Sequence, residues 1–197
     1  MPRARTLLPV LASLAVLAGC SATHGPGPGA PTAVAREADA ARLARVQRIG
    51  GELALGTASP ERIDVGLSQR GAIGAWTWPD GRIRVSRALV DVLDDDELRA
   101  ALAHEIGHLL DAGHVAGQAA ALAGGAARHE HAGVEARADA SACALLHARG
   151  APTDALPRML RVVADRIVPG DDAPDPAALR ARADAAERRC EAGGDVR

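Results

Sequence analysis

The five residues His104-Glu105-Ile106-Gly107-His108 constrain this chain more than any other stretch, because their side chains can act together only on a helix. Residues four apart on an α-helix project from one face, so both imidazoles can converge on a single Zn²⁺ while Glu105, one step round, reaches water beside the metal. The flanking residues carry a helix signal of their own. Asp94-Asp95-Asp96-Glu97 supplies an N-cap aspartate with a glutamate three residues on, and its charge suits the positive end of the helix dipole. Leu98, Leu102, Ile106 and Leu109 recur at helical spacing and predict an amphipathic helix with a buried stripe beside the histidine face. Gly113 is the natural stop, so the helix is expected from about Asp95 to Ala112.

Two histidines do not close a zinc site that works on substrate: such a site has three protein ligands and one open position. The best third ligand is Glu135, 27 residues beyond His108, in Glu135-Ala136-Arg137-Ala138-Asp139-Ala140. Val134, Ala138, Ala142 and Leu145 give this segment a helical apolar face, and Asp139 falls one turn beyond Glu135. An acid there can accept the free ring N–H of a zinc histidine and fix its tautomer. Two other readings compete. Glu135 and Asp139 can form a solvated face paired with Arg137 or Arg128, and His129-Glu130-His131 can act as a rival ligand pair. The Gly- and Ala-rich setting of residues 113–133 favours an exposed loop at the rim of the site, able to cover the metal.

The HExxH pentad with a downstream Glu-x-x-x-Asp on a second helix resembles the gluzincin zinc metallopeptidases. Within them, Gly81-Arg82-Ile83-Arg84-Val85-Ser86-Arg87-Ala88-Leu89 followed by Asp94 to Leu110 is similar to the family that includes HtpX, the CAAX prenyl endopeptidase and the mitochondrial protease Oma. The resemblance covers roughly residues 60 to 185. It implies that His104, His108 and Glu135 bind one Zn²⁺ per chain, that Glu105 is the catalytic acid/base, and that Asp139 supports His104. The chain departs from the family pattern in two places. Gly74-Ala75-Trp76 stands where an Asn-Ala-Phe-like segment is usual, and Ala173-Pro174-Asp175-Pro176 lacks the histidine of a late His-Pro motif. Arg180, or else Arg182, is the counterpart of the arginine that follows that motif, and Arg180 is the candidate oxyanion stabiliser. Four further histidines, His114, His129, His131 and His147, cannot be ranked by sequence.

The N-terminus speaks to compartment. Arg3 and Arg5 precede an apolar run from Leu7 to Ala18 that is too short for a confident membrane span and ends in Leu17-Ala18-Gly19-Cys20. These four residues resemble the bacterial lipobox, so residues 1–19 are expected to be a signal peptide and Cys20 the lipidated first residue of the mature protein. Ser21, not an aspartate, permits sorting to the outer membrane of a Gram-negative cell. The Gly-Pro-Ala composition of residues 20–33 predicts a tether, and residues 34–197 a single catalytic domain. Cys143 and Cys190 then remain, either as a disulfide that would pin the tail to the Glu135 helix or as independent thiols.

Phe and Tyr are absent and every one of the 23 basic residues is arginine, so the core must be built from Ala, Leu, Val and Ile. The net charge of −2 gives no footing for a nucleic-acid partner. The expected fold is α+β: a mainly helical zincin-like domain with a small antiparallel sheet. Helices are expected over 34–55, 156–167 and 177–190, with strands over 63–67, 72–78 and 82–86 around a Pro79-Asp80-Gly81 turn. One of the last two strands is expected to take an extended substrate along the cleft, with Trp76 and Trp78 either lining it or packing as a strand face. The functional expectation is a zinc metalloendopeptidase of the bacterial cell envelope, held at the membrane by lipid on Cys20 and cutting protein or peptide substrates in quality control. The alternatives are a catalytically weak metal-binding lipoprotein that acts as a chaperone or assembly partner, and a structural lipoprotein with an accidental pentad.

Overall fold

The computed structural model describes residues 32–111, 131–168 and 174–194. The signal segment, Cys20, most of the tether, His114, His129, the His131 side chain and the stop at Gly113 lie outside the described residues. The chain enters through a long helix α1 (Ala33–Ala54), which buries Val46, Ile49 and Leu53. A 3-10 turn at Pro60–Arg62 leads into β1 (Asp64–Ser68), and β2 (Ala75–Thr77) and β3 (Arg82–Ser86) complete a three-stranded sheet.

The sheet is mixed, not wholly antiparallel as expected. Its order is β1-β3-β2, with β1 parallel to β3 and β2 antiparallel to it. The hairpin at Pro79-Asp80-Gly81 folds β3 back along β2, and β3 wedges between its two predecessors. The central place suits it, since Ile83 and Val85 are fully buried. Gly81 makes the turn possible: its φ is +93°, and a Cβ there would fall 1.8 Å from the Arg62 carbonyl oxygen. β2 is left as a short edge strand. Ser86, fully buried, caps α2 (Arg87–Val92) by accepting from the Leu89 N–H at 3.1 Å, and also accepts from the Gly74 N–H at 3.2 Å. One side chain thus joins the start of α2 to the approach of β2.

Helix α3 (Asp95–Leu110) carries the pentad and begins with the expected capping box: Asp94 accepts from the Glu97 N–H at 2.8 Å, and Glu97 accepts from the Asp94 N–H at 3.1 Å. It ends at Leu110, two residues before the expected limit. The expectation of a one-sided helix fails. Leu98, Leu102 and Ile106 are buried, but so are Ala100, Ala101, Ala103, His104, Glu105, Gly107 and His108, while Leu109 is only partly so. The polar face is turned inward against α4 (His131–Ala148), and α1 and α5 (Ala155–Arg166) close the other sides. Small residues allow this enclosure. A Cβ on Gly107 would lie 2.7 Å from the Ala138 carbonyl oxygen, so α3 and α4 approach too closely there for any side chain.

The last helix, α6 (Pro176–Gly194), packs on α4 and α5. A disulfide joins Cys143 of α4 to Cys190 of α6, with Cα atoms 5.3 Å apart. Eight residues earlier on both helices, Glu135 meets Arg182, so α4 and α6 run parallel. At the other end of the domain, arginines of α1 hold the start of α3: Arg45 and Arg48 each donate to Asp95, at 2.6 and 2.7 Å.

Candidate active site

His104 and His108 lie one turn apart on α3 and are 8% and 6% exposed. Their Nε2 atoms point toward each other at 3.1 Å. α4 supplies the third group: Glu135 Oε2 is 3.3 Å from His104 Nε2, and Oε1 is 3.5 Å from His108 Nε2. Four-coordinate zinc with bonds of 2.0–2.1 Å holds its donors about 3.3 Å apart, so the trio has the spacing such an ion requires. The chemistry of the donors agrees. Asp139 Oδ1 sits 2.9 Å from His104 Nδ1, placed to hold the proton of that nitrogen in the neutral ring and so to present Nε2, which faces a second imidazole and a carboxylate, as the metal-binding atom. With His104 neutral, the three donor atoms would stand at the separation a cation takes up. Among the described residues, His104, His108 and Glu135 form a group whose ligand atoms, all within 4.8 Å of one another, could hold a metal.

Arg182, not Arg180, reaches this cluster. Its Nη1 is 2.6 Å from Glu135 Oε2, and its Nη2 and Nε donate to the two oxygens of Asp139 at 2.8 and 3.2 Å. Arg180 is exposed and donates to Asp165 at 2.8 Å, so it is no oxyanion stabiliser. The reason is helical phase. Leu179, Ala183, Ala186 and Cys190 form the buried face of α6, and the two arginines flank it on opposite sides, Arg182 toward Glu135 and Asp139 of α4 and Arg180 toward Asp165 of α5. All three Arg182 nitrogens are engaged with carboxylates, which makes it a clamp on the ligand shell. The periodicity of Leu179 to Cys190 sets both arginines beside the buried face, and only the packing of α6 on α4 tells them apart.

Glu105, 9% exposed, opens onto a cleft of about 320 Å³ shared with His104, His108, Glu135 and Arg182. The far wall of the cleft is apolar, built by Met159, Leu160 and Val163 of α5 and by Leu179, and its rim is β2. The Thr77 hydroxyl of β2 lies 2.5 Å from Glu105 Oε2. Trp76 lines the cleft and stacks under Arg70, 4.8 Å from the guanidinium carbon to the ring centre; Trp78 lies under Arg82 at 5.5 Å. His147 is exposed at the end of α4 and takes no part.

The electrostatics follow from burial and from pairing. Burial drives the His104 pKa down, but its bonds to Asp139 and Glu135 and the charge of Glu105 more than offset this and lift it to about 9. Burial pushes Glu135 up, and the His104 contact with the charges of His104, Arg182 and His108 brings it down to about 2. Asp139 is lowered, its burial outweighed by His104 and Arg182. Glu105 is the exception: burial raises its pKa, and the His104 charge and Thr77 hydroxyl only partly oppose this. A carboxyl shifted toward neutrality beside two held ionised is the division that acid–base work needs.

Residues 40–129 match the sequence model of peptidase family M48, whose members are zinc-dependent metallopeptidases. The match takes in the sheet and α3 with His104, Glu105 and His108, and over this stretch the chain is similar to that family. Glu135, Asp139 and Arg182 fall beyond the matched span, and the packing of α4 and α6 on α3 is what brings them to the motif. No curated protein matches the chain.

Proposed function

We propose that this chain is a zinc-dependent metalloendopeptidase in which His104, His108 and Glu135 hold one ion and Glu105 is the general acid/base. The observation that carries this reading is the convergence of the three donor groups at 3.1 to 3.5 Å beside a buried glutamate of raised pKa, in a cleft that runs along a sheet edge. Zinc, when bound, supplies Lewis acidity toward the scissile carbonyl and acidifies water. Glu105 takes the proton of the attacking water and delivers it to the leaving amine. Asp139 keeps His104 in the tautomer that presents Nε2, and Arg182 orients Glu135 and Asp139 together. β2 is the edge strand nearest the site, so an extended segment of substrate adds to it through main-chain hydrogen bonds, with β3 excluded by its central position.

The cellular setting belongs to the same proposal. The enzyme is lipid-anchored through Cys20 in the bacterial envelope, at the periplasmic face of the outer membrane in a Gram-negative cell, and acts on misfolded or misassembled proteins. Arg3, Arg5, the Leu7 to Ala18 run and Leu17-Ala18-Gly19-Cys20 support the anchor, and family analogy supports the quality-control role.

Elemental analysis and an unfolded-protein cleavage assay test the core of it. Wild type should carry about one zinc per chain and cleave, while Glu105→Gln should keep the metal and lose cleavage by about a thousandfold or more. His104→Ala and Glu135→Ala should lose zinc. Zinc retention with no cleavage in either wild type or Glu105→Gln would turn the reading toward a metal-binding chaperone. No zinc at all would leave a structural protein.

A further inference from the structure

Thr77 lies 28 residues before Glu105, on a different element, and belongs to no motif. Its hydroxyl is nonetheless 2.5 Å from Glu105 Oε2 and 3.2 Å from the Glu105 carbonyl oxygen. An ionised carboxylate only accepts, so at the shorter separation the threonine proton goes to Oε2. Oε1 is then the oxygen left to exchange a proton with water. A glutamate carboxyl turns broadly about its last torsion, and burial alone does not choose its plane. One fixed hydrogen bond does.

We infer that Thr77 is a positioning residue for the general base: its hydroxyl sets the plane of the Glu105 carboxylate and, because Thr77 lies in edge strand β2, ties that plane to the strand on which substrate docks. The inference rests on the endopeptidase reading given above. It differs from a purely structural role, in which the hydroxyl would only satisfy a helix carbonyl. Glu105 shares the cleft with Thr77, His104, Glu135 and Arg182, and of these only Thr77 belongs to edge strand β2.

The test uses the full chain as wild type, Thr77→Val, which keeps the shape and removes the hydroxyl, and Thr77→Ser, which keeps the hydroxyl. With a fluorogenic peptide built around a bond that wild type cuts in unfolded casein, Thr77→Val should lower kcat about ten- to a hundredfold with KM within about twofold, as expected when only transition-state alignment is lost. Thr77→Ser should recover kcat to within about threefold, and all three proteins should bind the same amount of zinc. A kcat in Thr77→Val near that of wild type, no recovery in Thr77→Ser, or loss of zinc from Thr77→Val would each overturn the inference. A second readout needs no turnover. The Glu105 carboxylate stretch, isolated as the infrared difference between wild type and Glu105→Gln, should shift in Thr77→Val, and an unmoved band overturns the inference. If zinc-loaded wild type cuts nothing, the endopeptidase reading fails, and the infrared band still decides whether Thr77 holds Glu105.

Discussion

Arginine–carboxylate pairs stand at the start of α3 and beside its histidines, and the two sets differ in what surrounds them. At the start, Asp95 takes Arg45 and Arg48 from α1 with side chains 51%, 26% and 50% exposed. Near the histidines, Asp139 is 3% exposed and Glu135 and Arg182 are 27% and 25% exposed. The contact distances are alike, 2.6 to 2.8 Å for the shortest bonds of each set. In water such pairs contribute little, because solvent screens them and two long side chains lose freedom. Out of water, a carboxylate stripped of its partner costs several kcal/mol. The first set fastens helices together, whereas the second fixes the orientation of groups that must meet a metal.

The largest effect should therefore come from Arg182→Met. It removes the guanidinium that joins Glu135 to Asp139, leaving both carboxylates under-paired, and should cost about 3 kcal/mol in urea denaturation. Zinc affinity should fall about ten- to a hundredfold in competition titrations with a chelator, because the ligand carboxylate and the support of His104 both lose their clamp. Arg182→Lys should not restore it, since a single ammonium cannot bridge two carboxylates as a planar fork does. Wild-type affinity in either variant would mean that the buried set is no more than another fastening.

A second effect follows from His104. Its folded pKa of about 9 lies above its ordinary value near 6.5, so in protein stripped of metal the ion pairs of His104 stabilise fully below about pH 6.5. That stability is lost as pH rises through about 9. Zinc needs the neutral imidazole, so uptake at pH 7.5 should release close to one proton from His104 and none from Glu135, held to about 2. Affinity should then rise about tenfold per pH unit from 7 to 9 and flatten beyond. Calorimetry in two buffers of different ionisation heat reads the proton directly. A His104 contribution near zero would mean that the acidic neighbours do not hold the ring charged.

How much of this was legible in the sequence depends on whether the signal was local. The capping box at Asp94 and Glu97, the paired histidines, and the Glu135-Asp139 turn are all short-range patterns, and each lies where its spacing places it. The burial of α3 was not legible. A helix with polar residues on one face reads as amphipathic, and only the packing of α4 shows that His104, Glu105 and His108 face protein. The pentad's chemistry assigns Gly107 no part, yet its missing side chain is what lets α4 come close enough for Glu135 to reach the histidines. The mixed sheet was hidden for a related reason: β3 alternates Arg82 and Arg84 with Ile83 and Val85, a pattern that reads as a half-exposed strand and does not mark it as the central one. Thr77 carried no signal at all, because its partner is 28 residues away on another element.

The smallest effect tests the other side of the comparison. Arg48 donates to Asp95 and to Glu52, and all three side chains are about half exposed. The bonds from Arg45 and Arg48 do hold the Asp95 carboxyl below its usual range, so the pairs exist as charges and not merely as contacts. Even so, Arg48→Gln should move Tm by no more than about 2 °C at low salt, and the difference should vanish in about 0.5 M salt, where the screening length is only a few ångströms. Zinc content and cleavage should be unchanged, because the capping box, which is independent of Arg48, still starts α3 in register and the histidines lie two to three turns further on. A loss of zinc in Arg48→Gln would show that the exposed arginines set the phase of α3, and the division between fastening and positioning would then fail at its simpler end.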